Sequence, residues 1–138
     1  LNDDDRTVPF KQTLRFLVRN KENCMAILIA ADQTPHKDEI NYWTDFLNQE
    51  TAFFLGTEKM AKSLDMAVVF LDVRAVKRGH YEVSISPISL KPKQSREHEI
   101  TEAYVSKLED SIKQLPHNWL WSHRRWKYKR PSKEKADN

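Results

Sequence analysis

Residues 25–35 read Met25-Ala26-Ile27-Leu28-Ile29-Ala30-Ala31-Asp32-Gln33-Thr34-Pro35. An apolar run of this length, with no polar alternation, predicts a strand covered on both faces, as in a parallel or mixed α/β sheet. It ends abruptly in an acid, an amide and a turn signal. Ligands of open α/β sheets gather beyond the carboxyl ends of such strands, which makes Asp32 and Gln33 candidate working groups. The same two residues could instead cap nearby backbone groups at the strand end.

Working outward, residues 8–20 carry Phe10, Leu14, Leu17 and Val18 on one helical face, with Thr7 as cap and Pro9 in the first turn. Downstream, residues 32–41 read as a polar loop and residues 42–47 as a strand. Thr57 and Glu58 provide cap and first-turn acid for a helix to about Leu64. Residues 66–73 predict a second buried strand. Arg78-Gly79 is a turn signal, and residues 80–89 alternate, with Tyr81, Val83 and Ile85 on one side and Glu82, Ser84 and Ser86 on the other. That pattern predicts a half-exposed strand in a hairpin with its predecessor, and Pro87 gives it an edge position. A helix over residues 102–114 follows, with Thr101 as cap, a stripe of Tyr104, Leu108, Ile112 and Leu115, and Pro116 as stop. Residues 117–126 are a candidate short helix. The expectation is one α/β domain over residues 1–138, a small mixed β-sheet flanked by helices, with disorder at 1–7 and 131–138.

The composition excludes several classes. Two glycines in 138 residues, with neither GxGxxG nor GxxxxGK[ST] present, argue against a phosphate-cradling loop. A single cysteine, Cys24, rules out an internal disulfide and a thiolate metal site, and reads best as a small buried hydrophobe. His36 with Asp38 and Glu39 lacks ligand-like spacing, so no metal and no cofactor is expected. No run of about 18 apolar residues is present, so no bilayer-spanning helix is expected. The first residue is Leu, which fits a chain excised from something longer or processed.

The net charge of +3 is unevenly spread. Asp3, Asp4 and Asp5 open the chain, whereas residues 123–135 are densely basic. Over residues 115–130, Trp119, Trp121, Trp126 and Tyr128 interleave with His123, Arg124, Arg125, Lys127, Lys129 and Arg130. Indoles favour the headgroup level of a membrane and guanidinium groups pair with phosphate in bidentate fashion. Either an anionic membrane surface is the partner, or the tryptophans pack on the domain while the charges face solvent. Lys59 and Lys62 could meet an anionic ligand or simply lie on the surface. A basic, aromatic-rich nucleic-acid-binding module is the rival, since bases stack on aromatics beside a cationic track; no recognised RNA- or DNA-binding motif accompanies the tail.

Taken in order, Ala31-Asp32-Gln33, then Phe53-Phe54-Leu55-Gly56 and Lys59-Met60-Ala61-Lys62, resemble the lipid A biosynthesis (lauroyl/myristoyl) acyltransferases of the lysophospholipid acyltransferase superfamily. Ile100-Thr101, Tyr104, Leu108-Glu109, Ile112, Pro116, Trp119-Leu120-Trp121 and His123-Arg124-Arg125-Trp126-Lys127 are similar to that family's carboxyl-terminal signature. The similarity covers about residues 8–131, the later half of a typical member, and implies the C-terminal part of a glycerolipid-acyltransferase-like fold. It implies transfer of a fatty acyl chain from an acyl carrier protein or acyl-CoA thioester to a hydroxyl of a glycolipid (a lipid A precursor) or lysophospholipid. The parent would work at the cytoplasmic face of a bacterial inner membrane, with no nucleic acid as partner, while the piece itself would be soluble. In the family a His-x4-Asp/Glu pair does the chemistry. Here the residues five positions after His36, His80, His98, His117 and His123 are Asn41, Ile85, Ala103, Ser122 and Tyr128, so none qualifies. The expectation is therefore an inactive C-terminal portion carrying no catalytic residue. Asp32, Gln33, His123, Arg124 and Arg125 would be its substrate-side residues, and a sheet edge or apolar face left open would invite self-association.

Overall fold

In the computed structural model, residues 7–9 and 12–131 are described. The expected disordered ends therefore lie, except for Thr7 and Pro131, outside the described residues, as do Phe10 and the acidic opening. The α/β class holds: among the described residues three α-helices accompany two separate two-stranded antiparallel sheets.

Helix α1 spans Thr13–Arg19, shorter than expected, and its N-cap is Gln12 rather than Thr7. Seven residues without an acidic first turn or side-chain cap leave little to offset the cost of nucleation. Leu17 is buried, but Leu14 and Val18 are exposed.

The apolar run at 25–31 does not form a strand. It is irregular chain with no ladder partner among the described residues, and Leu28 is 81% exposed. Its sequence asks for cover on two faces, and no described strand lies beside it. Cys24 is exposed with it, contrary to the buried role expected.

Strand β1 (Tyr42–Phe46) pairs with β2 (Gln49–Phe53), Phe46 opposite Gln49. Leu47 and Asn48 close this hairpin with φ of 51° and 59°, the two-residue turn whose twist matches the strands. Helix α2 (Gly56–Leu64) follows; the Phe54 ring occupies the space that a Cβ on Gly56 would need. Strand β3 (Val68–Lys77) and strand β4 (His80–Ser89) form the second hairpin, turning at Gly79 with φ 77°. The hairpin over Met66–Ser89 expected from sequence is present, shifted at its start.

Helix α3 (Glu99–Gln114) is the spine. Its Val105, Leu108 and Ile112 meet Phe46 and Phe53 in the core, with Tyr104, Trp119 and Trp126 packed around them. Thr101 lies inside its first turn rather than at the cap. The capping acceptor comes from α2. Glu58 Oε1 accepts from the His98 amide at 2.8 Å, and Oε2 accepts from the Thr101 amide at 3.0 Å and hydroxyl at 2.7 Å. Lys62 pairs with the same carboxylate at 2.8 Å. After α3 the chain makes one 3-10 turn, Pro116–Asn118, and then runs irregularly; the expected helix at 117–126 does not form. Trp119 and Trp126 dock on the core from this irregular segment, whereas Trp121 stays exposed.

Candidate functional site

The loop carrying Asp32 and the carboxyl-terminal segment carrying His123–Arg125 come together in space, although 89 residues or more separate them. Thr34 makes the tie. Its amide donates to His123 Nε2 at 3.0 Å, and its hydroxyl lies 2.9 Å from the Arg124 carbonyl and 2.7 Å from that of Arg125. The first bond fixes His123 as an acceptor at Nε2.

Arg125 is the centre of this join. It is only 2% exposed. Nη2 donates to the Ala52 carbonyl at 2.7 Å, and the guanidinium carbon sits 4.5 Å from the Phe53 ring centroid and 5.9 Å from that of Phe46. Such stacking suits a weakly hydrated planar cation. Nε and Nη1 have no hydrogen-bond acceptor among the described residues. Burial pushes the Arg125 pKa down to about 10, while the Asp32 carboxylate works the other way. Tyr104 is shifted upward, first by burial and then by the Asp32 carboxylate, with Arg125 opposing.

The remaining candidates divide clearly. Gln33 is exposed and lines a wide groove of about 1010 Å³, together with the apolar run and Phe16, but Asp32 and the arginines do not line it. Arg124 is exposed and contributes its carbonyl to the tie. Lys62 is taken by Glu58 and the Arg96 carbonyl. Lys59 borders a smaller apolar recess with Leu14, Phe54 and Met60. Trp126 donates from Nε1 to Thr51 Oγ1 at 2.8 Å, and Arg130 pairs with Glu50 at 2.9 Å. Much of the basic, aromatic tail is therefore built into the fold, while Leu120 and Trp121 stay exposed. Thr34 and Ala52 were not singled out from sequence; a backbone carbonyl leaves no sequence signal, and Thr34 follows the apolar run as an unremarkable loop residue.

Residues 1–128 match the family described as bacterial lipid A biosynthesis acyltransferase. The chain belongs to that family. No curated protein and no solved structure matches it. The residues that join the loop to the tail segment, Thr34, His123, Arg124 and Arg125, all lie within the part that matches the acyltransferase family. Among the described residues no helix is long and apolar enough to cross a membrane.

Proposed function

We propose that this chain is the C-terminal portion of a bacterial acyltransferase that moves a fatty acyl chain from a thioester donor to a hydroxyl of a lipid A precursor or lysophospholipid. In that reaction the acceptor oxygen forms the new ester bond, the carbon–sulfur bond breaks, and the hydroxyl proton ends on the departing thiol. A general base is needed, an imidazole oriented by a carboxylate. No His-x4-Asp/Glu pair exists in these 138 residues. The role left to this chain is to shape the substrate side of the cleft. Asp32 would do so from a loop whose position is set by Thr34, His123 and Arg125; Gln33 and Arg124, both exposed, would approach the polar part of the acceptor or a lipid phosphate.

The observation carrying this reading is the fastening of the Asp32 loop to the His123–Arg125 segment in a chain of an acyltransferase family. The test is a thioester-dependent acylation assay on the 138-residue chain and on its parent polypeptide. The chain alone should show no turnover. In the parent, Asp32→Ala should lower kcat/KM at least tenfold, about 1.4 kcal/mol. Turnover by the isolated chain, or an unaffected Asp32→Ala parent, would sink the proposal.

A further inference from the structure

Beyond α3, residues 119–125 zigzag through three successive turns. The Trp121 amide donates to the Trp119 carbonyl at 2.9 Å, the His123 amide to that of Leu120 at 3.0 Å, and the Arg125 amide to that of His123 at 2.8 Å. Trp119, His123 and Arg125 turn back into the protein: the first packs beside Phe46, the second meets Thr34 and the third is buried. The corners fall on Leu120, on Trp121 with Ser122, and on Arg124. Leu120 and Trp121 are 60% and 56% exposed, and Arg124 is exposed as well. Trp121 and Arg124 are three residues apart, so their Cα atoms lie within about 11 Å of each other. The Trp121 indole is fixed in place, because Nε1 donates to the Pro116 carbonyl at 2.6 Å. No polar atom of the ring is therefore stranded when water leaves its surface.

We infer that these corners are where the chain rests on an anionic phospholipid bilayer. Leu120 and Trp121 enter the interface, and Arg124, Lys127 and Lys129 meet headgroup phosphates. An indole and an aliphatic group rimmed by cations are what a bilayer interface selects. The charges decide between a bilayer and a cover made of protein. Arg124, Lys127 and Lys129 are exposed and have no acidic partner among the described residues; Lys127 only lies over the Tyr128 ring, at 5.2 Å. Residues 111–133 contain no Asp or Glu at all. A protein segment laid over this turn would bury those cations without counter-charge unless it were itself acidic, whereas a lipid surface offers a phosphate to each. The outer face of the β3–β4 hairpin is the opposite case. Val69, Leu71, Val73, Val83 and Ile85 are exposed there with no charge among them, and nothing about that face calls for headgroups. Each of the three tail cations should strengthen binding about fivefold. The inference goes beyond acyl transfer: for Arg124 it makes the phosphate that of the bilayer rather than of the acceptor, and it assigns nothing to Asp32 or Gln33.

The experiment is sedimentation of the 138-residue chain with vesicles of equal parts phosphatidylglycerol and phosphatidylcholine, and with vesicles of phosphatidylcholine alone. The chain should bind the anionic vesicles, release them as salt rises from about 0.1 to about 0.5 M, and ignore pure phosphatidylcholine. Trp121→Ala and Arg124→Ala should each weaken binding about fivefold or more with unchanged circular dichroism, whereas Lys77→Ala at the β3–β4 tip should leave it intact. The parent polypeptide then separates a bilayer from a protein cover. With Trp121 replaced by p-benzoylphenylalanine and the parent irradiated on the same anionic vesicles, the photoadduct should be to phospholipid; this readout also decides the matter should either alanine variant fail to fold. An adduct to another segment of the parent, or to a second copy of it, would overturn the inference. So would vesicle binding indifferent to Trp121→Ala and Arg124→Ala, binding reduced as much by Lys77→Ala, or a chain that binds RNA and no vesicle. None of these readouts passes through acyl transfer, so they stand or fall separately from the acylation assay.

Discussion

With strands of five residues each, β1–β2 places Phe46, Thr51, Ala52 and Phe53 out of solvent, whereas β3–β4, with strands twice as long, leaves most of its side chains exposed. Length alone therefore does not measure how much a hairpin contributes. The short hairpin is pressed between α3 and the tail: Phe46 contacts Phe53 edge-on at 5.5 Å, and the rings of Trp119 and Trp126 close over it at 6.2 and 6.4 Å. The long one has α3 on one side and nothing described on the other. If that contrast is right, replacements in the two hairpins should differ sharply in cost. Phe46→Ala removes a ring with no exposed surface and should destabilise the chain by about 3–5 kcal/mol, measured by urea unfolding. A cost below about 1 kcal/mol would mean the core lies elsewhere.

Next in size comes the pair of adjacent arginines. Arg125→Ala removes a stacked guanidinium and leaves the Ala52 carbonyl without its donor, for an expected loss of roughly 2–4 kcal/mol. Arg124→Ala removes an exposed side chain and should change stability by less than about 0.5 kcal/mol. Equal effects would contradict the burial difference. The sequence assigns both arginines the same role, because a basic run looks uniform until one member is enclosed.

How legible the rest was depends on whether the signal was local. Residues 80–89 were readable to the boundary because strict alternation and the Arg78-Gly79 turn lie within the segment itself. The β1–β2 turn was missed because Leu47 is a poor advertisement for positive φ, and only Asn48 is a usual turn residue. An apolar run such as 25–31 reports a need for cover, not the element that supplies it, and no described strand lies beside it. Asp32 stands out by a strand-end rule, His123 and Arg125 by a basic cluster. That Thr34 ties the Asp32 loop to His123 and Arg125 is a product of packing that no periodicity encodes.

The third contrast is electrostatic. Burial works to raise the pKa of Glu58, yet hydrogen bonds from Lys62 and Thr101 outweigh it and hold the carboxyl below its ordinary value; Ser111 and Arg74 do the same for the buried side of Asp72. A carboxylate that ionises more readily in the folded chain adds stability above its unfolded pKa, about 4. It gives that stability up as pH falls through the lower folded value. The chain should therefore lose stability on acidification below about pH 4.5. Glu58→Gln should flatten that acid limb and cost about 1–2 kcal/mol at neutral pH. An acid limb unchanged in Glu58→Gln would remove the inter-helix cap from the account. Thr34→Val, which deletes only the hydroxyl contacts to the tail, should cost about 1 kcal/mol and raise amide exchange in the Asp32 loop before the core opens.

Val83→Thr carries the smallest expected change and returns to the long hairpin. Threonine keeps the branched shape and strand propensity of valine and adds one hydroxyl. At Val105, buried on α3 against Phe46 and Phe53, the same exchange would bury an unpartnered polar group and cost about 1–3 kcal/mol. At position 83, which is more than half exposed, water satisfies the hydroxyl, so unfolding should shift by less than about 0.5 kcal/mol. A shift of that size would show that the outer face of β3–β4 is solvated in the folded chain. A loss as large as that expected in the core would instead place Val83 inside a packed interior, and erase the distinction between the two hairpins.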